Sequence, residues 1–97
     1  MAMHNPPHPG DFIREIYMRP FGITGRTLAA KLGVAPSTLN RVLQGRSGVS
    51  SDMALRLSKA VGRSAESWLA MQDNFDLWRS RQTIDLAAVE KIEFDAA

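Results

Sequence analysis

Residues 24–46, TGRTLAAKLGVAPSTLNRVLQGR, decide the fold. They hold two short helical patterns separated by a glycine. Thr24 is placed to cap the first, Gly25 to about Leu32, because its hydroxyl can accept a first-turn amide. Gly33 stops that helix, since only glycine takes the left-handed turn without Cβ strain. The second helix runs from about Pro36 to Gln44, with Pro36 at its first position and Gly45 just past its end. On a helical wheel Leu39, Val42 and Leu43 gather on one side, opposite Leu28 and Leu32 of the preceding helix. Ala29 supplies the small residue where the two helices cross. The other side of the second helix carries Ser37, Asn40, Arg41 and Gln44, with Thr38 at its edge. Lysine and glutamate, the usual residues of a merely solvated face, are absent from it. Hydroxyls, amides and a guanidinium are the groups that read base edges. Residues 25–44 therefore read as a helix-turn-helix, whose second helix enters the major groove of DNA.

On the N-terminal side, a first helix is expected from about Pro9 to Met18, with Phe12, Ile13, Ile16 and Tyr17 on one face. Pro20 and Gly22 end it. On the C-terminal side, Ser50 can cap a fourth helix that reaches about Val61 and stops at Gly62. Ser64 can cap a fifth, to about Ser80. Residues 1–8, with Pro6 and Pro7, read as a flexible N-terminus. Residues 9–80 form the helical DNA-binding domain, and 81–97 a C-terminal extension. Within that extension Thr83–Lys91 fits a short helix, and Ile92–Phe94 fits an extended segment. No strong alternating pattern occurs elsewhere, so the class is all-α, with five helices.

A chain of 97 residues makes one domain with a modest core. It has no cysteine, which excludes structural disulfides and thiol catalysis and suits a reducing cytoplasm. No apolar run approaches membrane-spanning length, and the N-terminus lacks a signal-peptide pattern. The net charge of +2 hides a polarity: Arg14–Arg63 carries +7, and Ser64–Ala97 carries −4. A basic middle suits a polyanion, because phosphate contacts release counterions. The acidic end would then face elsewhere or meet a basic partner. Two solvated surfaces of unlike composition would give the same numbers.

Other chemistry is sparse. His4 and His8 lie among prolines, without a helical ligand spacing, and read as ordinary terminal residues rather than metal ligands. There is no glycine-rich phosphate loop and no serine–histidine–acid arrangement. Asp73 and Asp76 lie on a surface helix. The chain reads as a non-enzyme with no cofactor. The fifth helix carries the apolar stripe Trp68, Met71, Phe75 and Trp78, flanked by Ala65 and Leu69, with Ala70 and Leu77 on a third side. This is more apolar surface than one small core requires, unless the first and fourth helices cover all of it. The stripe is therefore expected to form a homodimer interface. Two reading heads about 34 Å apart would then address a palindromic site.

Leu28-Ala29, Gly33-Val34, Leu39, Val42 and Gly45-Arg46 resemble the helix-turn-helix of the phage-repressor-like (Cro/C1, XRE) family, over roughly Pro9 to Val61. The resemblance implies a lambda-repressor-like fold in which Ser37, Thr38 and Arg41 face bases. Arg46, Ser47 and Ser50 would face phosphates. Asn40 and Gln44 join the DNA-facing candidates. Two positions depart from the family pattern. Gly25 stands where relatives often place a polar phosphate contact, so Arg26 takes that role. Pro36 stands where several place a base reader, so readout begins one residue later. Arg41 can grip guanine bidentately, worth ~1–3 kcal/mol of discrimination, or clamp a phosphate.

A more specific resemblance spans nearly the whole chain. NPPHPGDFIRE (5–15), SSDMALRLSKAVGRSAESWLAMQ (50–72) and DLW (76–78) are similar to HigA-type antitoxins of the VapI group. That resemblance implies a bacterial antitoxin that binds its own operator DNA as a homodimer. It also implies a cognate toxin, an RNA-cleaving, ribosome-dependent endoribonuclease of RelE-like fold, and repression of the shared promoter by the pair. Two other readings compete: a stand-alone regulator without a toxin, and a protein-interaction module that never touches DNA.

Overall fold

The computed structural model describes residues 5–95. Its helices are α1 (Pro9–Phe12), α2 (Gly25–Leu32), α3 (Pro36–Leu43), α4 (Ser51–Val61) and α5 (Ala65–Thr83), and there is no strand among the described residues. The fold is all-α and lambda-repressor-like. Three starts are capped as the sequence predicts. Thr24 Oγ1 accepts the Thr27 amide, Ser50 Oγ the Met53 amide and Ser64 Oγ the Ser67 amide, each at 3.1 Å. Each such cap contributes about 1 kcal/mol. Gly33 (φ 73°) ends α2 in the left-handed region, and its amide bonds the Ala30 carbonyl.

The first helical segment departs from expectation. α1 runs directly into a π-helical stretch (Ile13–Met18) and then a 3₁₀ turn (Arg19–Phe21). The Arg19 amide bonds the Arg14 carbonyl, and the Ile23 amide bonds the Met18 carbonyl, both five residues back. This wider winding moves the buried face. Ile13 and Met18, five apart, are both buried, whereas Ile16, expected inside, is 47% exposed. A wheel drawn at 3.6 residues per turn cannot place these residues correctly.

Residues 5–8 are not a loose end. Pro6 and His8 are buried. His8 Nδ1 accepts the Gly10 amide at 2.9 Å, capping α1. The His8 ring meets the Phe75 ring of α5 edge-on, with centroids 4.9 Å apart. Burial holds the imidazole pKa below its ordinary value, against the pull of the Asp11 and Asp76 carboxylates. The reading of His8 as an ordinary terminal residue is therefore corrected; His4 lies outside the described residues. Next to His8, the backbone of Gly10 lies against the end of α3. A Cβ at Gly10 would come within 2.1 Å of the Val42 carbonyl oxygen.

The core joins Ile13 and Met18 to Leu28, Ala29 and Leu32 of α2, and to Leu39, Val42 and Leu43 of α3. Val49, Met53, Ala54, Leu57 and Trp68 complete it. Trp68, expected at a dimer interface, is 0% exposed within the single chain. It contacts Phe12 and Tyr17 edge-on or tilted, at 5.9 and 6.1 Å, so it has no surface left for a partner. Met71, Phe75 and Trp78 are half-buried, and Leu77 is 50% exposed. Beyond α5, the helix considered for Thr83–Lys91 does not form. Only a turn at 87–88 interrupts an open backbone over 84–95. Every residue from 81 to 95 is exposed, so nothing in the body supports a further helix there.

Candidate nucleic-acid interface

α2 and α3 cross with Leu28 and Leu32 facing Leu39 and Leu43, all buried. Gly25 opens α2 beside α3; a Cβ there would lie 3.9 Å from Leu43 Cδ1. This packing turns the polar side of α3 outward. Ser37, Thr38, Asn40, Arg41 and Gln44 are all exposed. Arg26, one residue into α2, is exposed as well. Arg26, Ser37 and Asn40 share the lining of a small cleft between the two helices. Among the described residues, no ion pair engages Arg26, Arg41 or Arg46. Their charges face solvent rather than internal acids, which suits an anionic ligand.

The end of α3 bends sharply. Gly45 takes φ 74°, and the Arg41 carbonyl accepts both the Arg46 amide (2.8 Å) and the Ser47 amide (3.2 Å). The backbone of the strongest base-reading candidate thus also anchors two phosphate-facing candidates. Ser50 uses its oxygen to cap α4 and remains exposed, so its hydroxyl proton can be donated outward. The amino end of α4 also presents unpaired amides. Asp52 in that first turn would oppose a phosphate, but Arg56 Nε binds its carboxylate at 2.8 Å.

Three residues outside the predicted set support this surface. Gln72 of α5 is buried, and its Oε1 accepts the Val49 amide at 2.9 Å while its Nε2 donates to Asp76 at 2.9 Å. It pins the loop that carries Arg46, Ser47 and Ser50. Gly48 lets Gln72 approach; a Cβ would lie 3.0 Å from Gln72 Cδ. Arg56 donates to the Leu32 and Gly33 carbonyls at 2.9 and 3.1 Å, fastening α4 to the end of α2. A polar residue four positions after Trp68, in line with the buried side of α5, was the available signal for Gln72. The expected stripe passed it over by stepping to Met71.

A family model described as helix-turn-helix matches residues 13–68, which includes all of α2, α3 and α4. Virulence-associated protein I of Dichelobacter nodosus is 41% identical over 77% of this chain and 69% of its own length. Antitoxin HigA-1 of Vibrio cholerae is 34% identical over 74% of this chain and 68% of its own. The solved structure of antitoxin GraA in complex with its operator superposes with a TM-score of 0.84 at 38% identity, over 97% of each chain. With its outward polar α3 and these relatives, the chain belongs to the DNA-binding helix-turn-helix proteins of the phage-repressor type, among the HigA-type antitoxins and regulators.

Proposed function

We propose that two copies of this chain bind its own operator, repress their operon and neutralise a cognate RNA-cleaving toxin of RelE-like fold. One observation carries the DNA contact: α3 hides Leu39, Val42 and Leu43 while Ser37, Thr38, Asn40, Arg41 and Gln44 face solvent. In this reading Ser37, Thr38 and Arg41 meet bases, and Asn40 and Gln44 flank them. Arg26, Arg46, Ser47 and Ser50 hold the backbone. Phosphate contacts set register, and the α3 contacts set sequence. The solved GraA complex contains that protein's operator, which supports the same mode here.

The dimer face is narrower than the expected stripe. Without Trp68 it consists of the half-buried Met71, Phe75 and Trp78 of α5. The toxin is supported by the HigA antitoxin among the relatives. The test of the DNA reading is fluorescence anisotropy on the upstream promoter duplex. Arg41→Ala should lose ~1–3 kcal/mol, roughly fivefold to 150-fold in affinity, with helicity retained. Wild-type affinity should fall steeply with added salt. An unchanged affinity and sequence preference in Arg41→Ala, or a flat salt response, overturns it. Co-expression with the product of the adjacent gene tests the toxin: a stable complex that abolishes RNA cleavage is expected. Failure to associate favours a stand-alone regulator.

A further inference from the structure

The residues after α5 are unusual for a segment without regular structure. Ile84, Leu86, Val89, Ile92 and Phe94 are between 57% and 85% exposed. Ile92 and Phe94 alternate with Glu93, so an extended backbone there places apolar side chains on one face and acid on the other. Asp85 and Glu90 add negative charge, against a single Lys91. Such a segment is poorly suited to solvent and well suited to an apolar groove with a basic rim.

The body has such a groove. It lies between α2 and α4, has a volume of about 980 Å³, and is lined on its apolar side by Ile23, Leu28, Leu32, Leu55 and Val61. Leu55 is 63% exposed there. Lys31, Arg56 and Lys59 also line it. Arg56 is committed to Asp52 and to the Leu32 and Gly33 carbonyls. Lys31 and Lys59 are exposed, and no ion pair engages them among the described residues. They leave the rim with a net positive charge facing outward.

We infer that the acidic apolar tail of one copy docks in the α2–α4 groove of a second copy. Ile92 and Phe94 fill the apolar floor beside Leu55, and Glu90 and Glu93 meet Lys31 and Lys59. In the chain itself every residue from 81 to 95 is exposed, so the tail does not lie in its own groove. The exposed tail and the exposed basic rim are complementary in charge and in apolar character, and a second copy can bring the one to the other. This contact is separate from the α5 face and from operator binding, and its failure would leave both untouched.

The chain contains no cysteine, so engineered thiols report contacts cleanly. Full-length Phe94→Cys is mixed with a size-tagged Leu55→Cys and mildly oxidised. A mixed disulfide should form more than about tenfold faster than with tagged Glu66→Cys, because docking raises the local thiol concentration. Lys59→Glu in the Leu55→Cys chain should suppress it, and Glu93→Lys in the partner should restore it. Equal rates for Leu55→Cys and Glu66→Cys overturn the inference. So does a doubly substituted Leu55→Cys/Phe94→Cys chain that closes an internal disulfide while the mixed pair does not react, which would place the tail in its own groove. Operator affinity of the unmodified chain, measured alongside, keeps this result distinct from the DNA reading.

Discussion

Replacing Gln72 with leucine tests how the loop at 45–50 is held. In the native chain the buried Gln72 side chain accepts the Val49 amide at 2.9 Å, and Val49 is itself 5% exposed. Leucine fills nearly the same volume but has no acceptor. The variant therefore keeps the packing and orphans a buried donor, a loss of about 1–3 kcal/mol. For a domain of this size each kcal/mol lowers Tm by roughly 4–8 °C. Thermal unfolding followed by circular dichroism should register that drop. Amide exchange is the sharper assay, because the Val49 N–H should lose protection ahead of the surrounding core. Operator affinity should fall as well, since Arg46, Ser47 and Ser50 lie on the loosened segment. A Gln72→Leu chain with a Tm within about 2 °C of the parent and an equally protected Val49 amide would refute the reasoning. The loop would then be held by its apolar contacts alone.

Gly10→Ala places a methyl 2.1 Å from the Val42 carbonyl oxygen, a backbone atom that cannot step aside. The expected loss of stability is at least ~1–3 kcal/mol, read by denaturant unfolding; a neutral result would mean that α1 and α3 are not locked together. His8 makes stability depend on pH. Burial lowers its folded-state pKa, so below the ordinary imidazole value the unfolded chain binds a proton that the folded chain refuses. This contribution is present above that value and is lost as pH falls through the folded pKa. Between about pH 7.5 and about pH 5.5 the parent should lose more stability than His8→Asn, which keeps a capping acceptor but does not titrate; equal slopes would remove His8 as the cause. Trp78→Glu, at the half-buried end of the proposed dimer face of α5, should shift sedimentation from dimer to monomer and weaken operator binding with little change in helicity. A persistent dimer would exclude that face.

Local chemistry alone was enough to read the central unit. Thr24, Gly33, Pro36, Ser50 and Ser64 act within one or two turns of themselves, as caps, stops or starts, so their roles are visible without a partner. The division of α3 into an aliphatic and a polar side is equally local, because 3.6-residue periodicity sorts side chains before any packing occurs. Tertiary structure decided what depends on distant neighbours. Only the approach of α1 to α3 explains glycine at position 10, and only the nearness of α5 to the 45–50 loop makes Gln72 a buried strut. The same applies to Trp68. An aromatic stripe on a helix looks alike whether a second chain or the chain's own Phe12 and Tyr17 cover it, and here the chain covers that part itself. The π-helical winding at Ile13–Met18 changed which residues of the first segment are hidden, because it altered the periodicity that pattern reading assumes. Short-range hydrogen bonding and periodicity are written in consecutive residues. Burial is set by whatever the fold brings alongside, and only the assembled chain specifies that.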